Sequence, residues 1–241
     1  EAIGRYDSNT SCETNALAAR TYYVPFQFWF NRNPGLALPL IALQYHEVKL
    51  DIEFRKIVEL VKSDVAITNP LDSDSNAAHI TSAGVWVDYV FLDTDERRRF
   101  AQVSHEYLIE QLQITGGSET LDAGKTTHSA KLDLNHPVKF ITWTITRQTN
   151  YALSSLSGNN IMMFDSAAGG DTFGTAKIVL NGHDRMTPRK ANYYRLVQPL
   201  SFFTNVPRKH IYVYSFGINP EEHQPSGTCN FSRIDNSQLY L

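Results

Sequence analysis

Cysteine is nearly absent: Cys12 and Cys229 are the only two in a chain of 241 residues. Two thiols near opposite ends build no disulfide framework, and nothing in their spacing pairs them. That usage fits a reducing compartment, where structural disulfides are rare. An excess of one charge is missing too. Lys and Arg total 22 against 25 Asp and Glu, a net charge of -3. So small an imbalance exerts no long-range pull on nucleic acid or an anionic membrane, and it disfavours DNA binding as the main task. No apolar run approaches the ~20 residues of a membrane-spanning helix. The first twenty residues, EAIGRYDSNTSCETNALAAR, are polar and lack the apolar centre of a signal peptide. They also lack an initiator Met, so the chain is expected to be trimmed or partial.

Catalytic spacings are missing as well. A zinc protease sets two His one helical turn apart, with Glu beside the first. His46-Glu47 and His105-Glu106 begin that pattern, but Leu50 and Ile109 hold the second His position. Gly124-Lys125-Thr126 ends like a phosphate-binding loop, yet Glu119 replaces its first glycine with a charge that repels phosphate. Asp72-Ser73-Asp74-Ser75-Asn76 starts like a calcium loop. Ala77 and Ala83 stand where its Gly and Glu belong, which leaves a solvated Asp/Ser loop. No G-x-S-x-G or G-x-G-x-x-G occurs. A metal reading that joins His183 and Asp184 to Glu221, Glu222 and His223 matches no established ligand spacing. The sequence therefore assigns no catalytic, metal or cofactor residue, and the expectation is a protein that is not an enzyme.

What is there is period two. Hydrophobic residues make up 42%, enough for a real core. In VKLDIEFR, Val48, Leu50, Ile52 and Phe54 alternate with charged residues, as a strand with one wet face does. KFITWTITR puts Ile141, Trp143 and Ile145 on one face and threonines between them. GVWVDYVFLD (84–93) and KHIYVYSFGI (209–218) are partly apolar on both faces, as buried sandwich strands are. Turn clusters separate these runs: NRNPG, NPLDSDSN, TGGSETLDAGK, LNHP, SAAGGD, NGHD and NPEEHQPSG. Many short strands with regular turns predict an all-β sandwich. Asn181-Gly182 after AKIVL predicts a tight hairpin, with Asp184 and Arg185 placed as a charge pair just past it.

Helix is expected to be scarce. LALPLIAL (36–43) reads as a short turn or a buried extended segment. ERRRFAQVSHEYLIEQL reads as a linker helix followed by a strand. Arg97, Arg98 and Arg99, flanked by Asp93, Asp95 and Glu96, suggest a locally salt-linked surface. Asn9-Thr10-Ser11 and Asn230-Phe231-Ser232 match the N-glycosylation pattern, which matters only in a secretory compartment.

The stretch PEEHQPSGTCNFSRIDN (220–236) holds carboxylates, a histidine and a cysteine. Glu221, Glu222 and His223 are adjacent, so an extended chain points them alternately to opposite faces. Cys229 has no basic neighbour in sequence before Arg233. Pro220, Pro225 and Gly227 fix a turn-rich backbone. This predicts an ordered loop pinned by backbone hydrogen bonds, with a mostly buried thiol, rather than a reactive centre.

Five segments together carry a family resemblance. They are FWFNRNPGLALPLIALQYHEVKLDIEF (28–54), DYVFLDTDERRRFAQVSHEYLIEQLQ (88–113), KLDLNHPVKFITWT (131–144), LNGHDR (180–185) and YVYSFGINPEEHQPSGTCNFSRIDN (212–236). In that order they resemble the major capsid protein of the nucleocytoplasmic large DNA viruses. The resemblance implies an all-β fold of two tandem jelly rolls, a double jelly roll. It implies residues 1–96 as the C-terminal part of the first roll, 97–104 as a linker and 105–241 as the second. The first roll would be incomplete in this chain. It implies a homotrimer that forms a pseudo-hexagonal capsomer, packed against neighbouring capsomers and minor capsid proteins. The shell would be icosahedral, assembled in the host cytoplasm, near an internal membrane that the chain does not span. No direct nucleic-acid contact is implied. The alternative is a jelly-roll module on the virion surface that reads sugars or a receptor through Tyr193, Tyr194, Phe202 and Phe203. Loops such as NYYRLVQPLSFF, rich in Tyr and Phe, also suit an interface core.

Overall fold

In a computed structural model, residues 21–54, 80–115, 120–121, 124–151 and 162–241 are described. Cys12, the 72–76 loop, Glu119 and the first glycosylation pattern lie outside them. The chain divides into two compact units, Glu1–Gln111 with Leu153–Gly158, and Leu112–Ala152 with Asn159–Leu241.

In the second unit the period-two runs become paired strands. In chain order they are β1 (Ser129–Lys131), β2 (Pro137–Val138), β3 (Phe140–Trp143), β4 (Thr175–Leu180), β5 (His183–Asp184), β6 (Arg189–Lys190), β7 (Tyr212–Ser215), β8 (Cys229–Asn230) and β9 (Ser237–Tyr240). The largest sheet runs β1-β9-β4-β5, with β6 also on β4; β2 pairs with β8 and β3 with β7. Every pairing is antiparallel. Opposite residues share a face, so the register Ile178↔Leu239 stacks two inward side chains. Both are buried, Ile178 completely. Lys177 and Tyr240, also opposite, lie on the outer face, with the ammonium 5.5 Å from the ring centre.

The core comprises Leu132, Ile141, Ala176, Ile178, Ala191, Tyr194, Tyr212, Phe231 and Leu239. Partly buried aromatics pack edge to face against it: Trp143 on Tyr194, centre to centre at 5.2 Å, and Phe216 on Phe231 at 5.8 Å. Each fully buried large side chain contributes roughly 1.5–3 kcal/mol by leaving water.

One stretch departs from the sequence expectation. NYYRLVQPLSFF is not a loop: Tyr193–Val197 forms a π-helical turn that runs into a short helix, Gln198–Phe202. The residues before Pro199 are already helical, so its missing N–H leaves a gap in the helical hydrogen-bond ladder where the π turn meets the helix. Tyr194 turns inward from the π turn and is completely buried.

In the first unit, helix occupies Thr94–Gln102, close to the linker helix expected. The Asp93 carboxylate accepts from Thr94 N at 2.7 Å, and Asp95 and Glu96 sit in the positive first turn. Arg98 pairs loosely with Asp95 at 3.8 Å. Trp29–Asn31 and Pro34–Leu36 are 3-10 turns, and the Asn33 side chain accepts from Gly35 N. LALPLIAL continues as irregular turns. VKLDIEF and GVWVDYVFLD form neither helix nor ladder among the described residues. Their apolar side chains are exposed, Phe91 to 93%. Period two marks which face a strand buries; pairing requires a neighbour.

Candidate functional site

The C-terminal stretch is a joint built mainly from side chains. At its neck the backbones of Gly217 and Gly227 almost touch: a Cβ added at Gly217 would lie 2.7 Å from Gly227 O. Within the loop, Asn219 N donates to Ser226 Oγ at 2.7 Å. The Glu221 carboxylate accepts from Thr204 N at 2.8 Å. The Lys139 ammonium donates to Glu222 O at 2.5 Å and to His223 O at 3.1 Å. Beyond the neck, β8 pairs with β2, and Asn230 Oδ1 caps the Ser232 amide. His136 bridges across, with its N–H on Ser232 Oγ and its carbonyl accepting from Phe231 N. It adopts φ 64°, the left-handed region in which His is enriched. The expected order is therefore present, but the expected backbone pinning is mostly side chain to backbone. Short β8 leaves little ladder, so polar side chains take up the free carbonyls and amides.

The hairpin forms as expected. Asn181 and Gly182 have φ 51° and 80°, both left-handed, and join β4 to β5. Asn181 N donates to Asn236 O at 2.7 Å, and Asn236 N donates back to Asn181 Oδ1 at 3.2 Å. The turn and the entry to β9 are thus clasped together. The charge pair is different from the expectation: Asp184 meets Lys177 at 2.9 Å, not Arg185. Neighbours along a strand point to opposite faces, whereas Lys177 lies diagonally across the hairpin on the same face as Asp184.

A half-buried polar knot, which sequence reasoning missed, ties the π turn to β7. Asp171 Oδ1 accepts from Arg195 Nε at 2.7 Å and from Tyr212 OH at 3.2 Å, and His210 Nε2 lies 3.9 Å away. Thr172 N donates to the same Tyr212 oxygen. Burial pushes the Tyr212 hydroxyl pKa up, and its bonds with Thr172 oppose that. Gln198 is buried, donating to Tyr193 OH and accepting from Ser215 N. The Tyr194 hydroxyl donates to Ala176 O at 2.8 Å; burial, then the neighbouring Tyr193 and Tyr214, raise its pKa. Tyr193 and Tyr194 are thus engaged inside the unit. Phe203 stacks edge-on with Phe140 at 5.2 Å. The outward side chains of this helical stretch are instead Leu196, Val197 and Leu200, the last exposed to 76%.

In the first unit, a shallow cleft of about 300 Å³ is lined by Glu96, Arg99, Phe100, Val103 and His105. The His105 ring bonds to Phe100 O at 2.8 Å and stacks on the Phe100 ring. Arg32 pairs with Glu110 at 2.9 Å. Leu108 and Ile109 are exposed, and HEYLIEQLQI does not form the strand expected of it: it joins no ladder among the described residues. In the second unit the end of that run is held by side chains. Gln113 brackets Asn135 by donating to its carbonyl and accepting from its amide; Thr115 does the same across Lys131 O and Asp133 N. The alternation of Gln113 and Thr115 with Leu112 and Ile114 was the signal for this.

Chemically these contacts hold chain to chain. No group of three or more His, Cys, Asp or Glu among the described residues converges as a metal site, so His183, Asp184, Glu221, Glu222 and His223 do not form one. Cys229 is free and half-buried; burial pushes its pKa up, against a smaller opposing pull from Arg185. The expected thiol is therefore less buried than the sequence reading had it. Because the thiolate is the reactive form, labelling of native protein should be slower than that of a free thiol, with a pH midpoint displaced upward. Labelling at the unfolded rate at neutral pH would contradict the packing described.

An antiparallel β unit whose loops are tied down by internal hydrogen bonds defines a structural β-domain. Comparison with known proteins makes that specific. A family model for the large eukaryotic DNA virus major capsid protein matches residues 96–241, and one for the major capsid protein N-terminus matches residues 4–93. The chain belongs to this family of viral major capsid proteins. It is 42% identical to the major capsid protein of Pyramimonas orientalis virus over 99% of this chain and 58% of that protein. It is 46% identical to that of Paramecium bursaria Chlorella virus 1 over 93% and 55% respectively. The fold matches a quasi-atomic PBCV-1 virus capsid with TM-score 0.66 and 40% identity, covering 91% of this chain and 57% of that one. A PBCV-1 crystal structure fitted into a reconstruction of the virophage Sputnik matches with TM-score 0.63 and 38% identity, over 91% and 57%. The all-β jelly-roll class expected from the sequence is thereby established. The chain spans a little over half the length of these relatives. Among the described residues no helix is long and apolar enough to cross a membrane.

Proposed function

We propose that the protein is a structural shell component, a major capsid protein that assembles as trimeric, pseudo-hexagonal capsomers on an icosahedral large DNA virus. The observation that carries this reading is the match to viral capsid structures over nine-tenths of the chain, at 38–40% identity. Its place is the virion shell, reached by assembly in the host cytoplasm, beside an internal membrane that it does not span. Its partners are copies of itself, neighbouring capsomers and minor capsid proteins; nucleic acid is not one of them. The role proposed is structural rather than catalytic, and Lys139, Glu221 and Asp184 are engaged in loop contacts that suit it. We assign residues 1–96 to the end of a first jelly roll, 97–104 to a linker and 105–241 to a second. The two family matches, which meet between residues 93 and 96, favour this division. A sugar-reading module is less favoured, because Tyr194 is buried and Tyr193 is bonded to Gln198. Electron micrographs of the full-length protein test the assembly: three-fold particles with hexagonal outlines are expected, and compact single subunits would overturn it.

A further inference from the structure

We propose that residues 217–227 form a strap, locked shut by the Lys139 ammonium at its tip and the Glu221 carboxylate at its side. The lock closes only on a β3–β7 ribbon that has already paired. Lys139 holds both ends of the arrangement. Its carbonyl accepts from Phe216 N at 2.9 Å, which fixes the strand just before the strap. Its side chain then gathers two successive carbonyls, Glu222 O and His223 O, at the far end. Two carbonyl oxygens facing one way repel each other, and a cation between them removes that conflict. Lysine thus supplies, within the chain, what a bound metal ion supplies to other loops. Glu221 adds a second tie, to Thr204 N, and the Gly217–Gly227 contact closes the neck. Neither tie exists until Lys139 and Thr204 have been placed by the folded unit, so the strap is the last piece to seat. This inference does not depend on the assembly reading.

Glu221 and Glu222 make the strap its own reporter, since a glutamate-specific protease cuts after both. In purified full-length protein under native conditions, cleavage there follows the population of the open strap when opening is fast. Losing hydrogen bonds to a charged group should raise that cleavage roughly ten- to hundredfold in Lys139→Met. Cleavage after Glu106 and Glu110 should stay unchanged. Lys139→Arg should recover part of the protection, because its guanidinium still donates. Glu221→Ala, read at Glu222, should raise cleavage several-fold, and it decides the matter if Lys139→Met does not fold. Unchanged cleavage in the folded variants, or an equal rise at every glutamate, would overturn the proposal.

Discussion

Gly217→Ala should lower the stability of the C-terminal unit by about 3 kcal/mol, the upper part of the usual overpacking range. For a unit of this size that is roughly a 10 °C fall in melting temperature. The new methyl would sit 2.7 Å from Gly227 O and 3.2 Å from Gly227 N. Both are backbone atoms, which cannot swing aside as a flexible side chain can. The clash would be relieved only by prising the strap's neck apart, against Lys139 and Glu221. Gly174→Ala is the control: nothing lies within 4 Å of its added Cβ, so its effect should stay within about 0.5 kcal/mol. Thermal melts of the two variants beside the parent check this. Equal melting temperatures for all three would show that the neck is not closed.

Tyr194→Ala should cost more, about 3–5 kcal/mol, the range for removing a buried aromatic. Tyr194 is completely buried, packs against Trp143 and Tyr193, and bonds Ala176 O. Its removal leaves a hole between the helical stretch and the sheet, and a carbonyl without that donor. Tyr194→Phe separates the two effects. It keeps the ring and loses the hydrogen bond, so about 1–2 kcal/mol is expected. Chemical denaturation measures both. A Tyr194→Ala variant as stable as the parent would mean that the helical stretch does not pack on the sheet.

The sequence was most legible where side-chain period and turn chemistry agreed. β4, its Asn-Gly turn and β5 followed directly, as did the pairing-competent runs around Ile141 and Tyr212. Tyr193–Phe202 was hidden because aromatic and β-branched residues favour strands locally, while burial of Tyr194 decides for helix. Lys139 was hidden for another reason. A lysine that opens a strand reads as an exposed charge, and its carbonyl partners lie 83 and 84 residues away. Carbonyls carry no residue signature, so no motif announces such a contact. Asp184 shows a third case: its sequence neighbour Arg185 was the obvious partner, and strand geometry gave it Lys177. The joint's character, as distinct from its partners, was readable from its prolines, glycines and short polar side chains.

The central claim is that this chain belongs to a protein that builds a shell from closed rings of three. Its most direct test is the mass of the full-length protein in solution, measured by light scattering at micromolar concentration. Closed cyclic assembly buries matching surfaces and stops at a fixed number. An interface above the ~1,000 Å² typical of stable contacts should survive dilution to that range. The account predicts a single species with three times the subunit mass. A stable monomer at that concentration would contradict it.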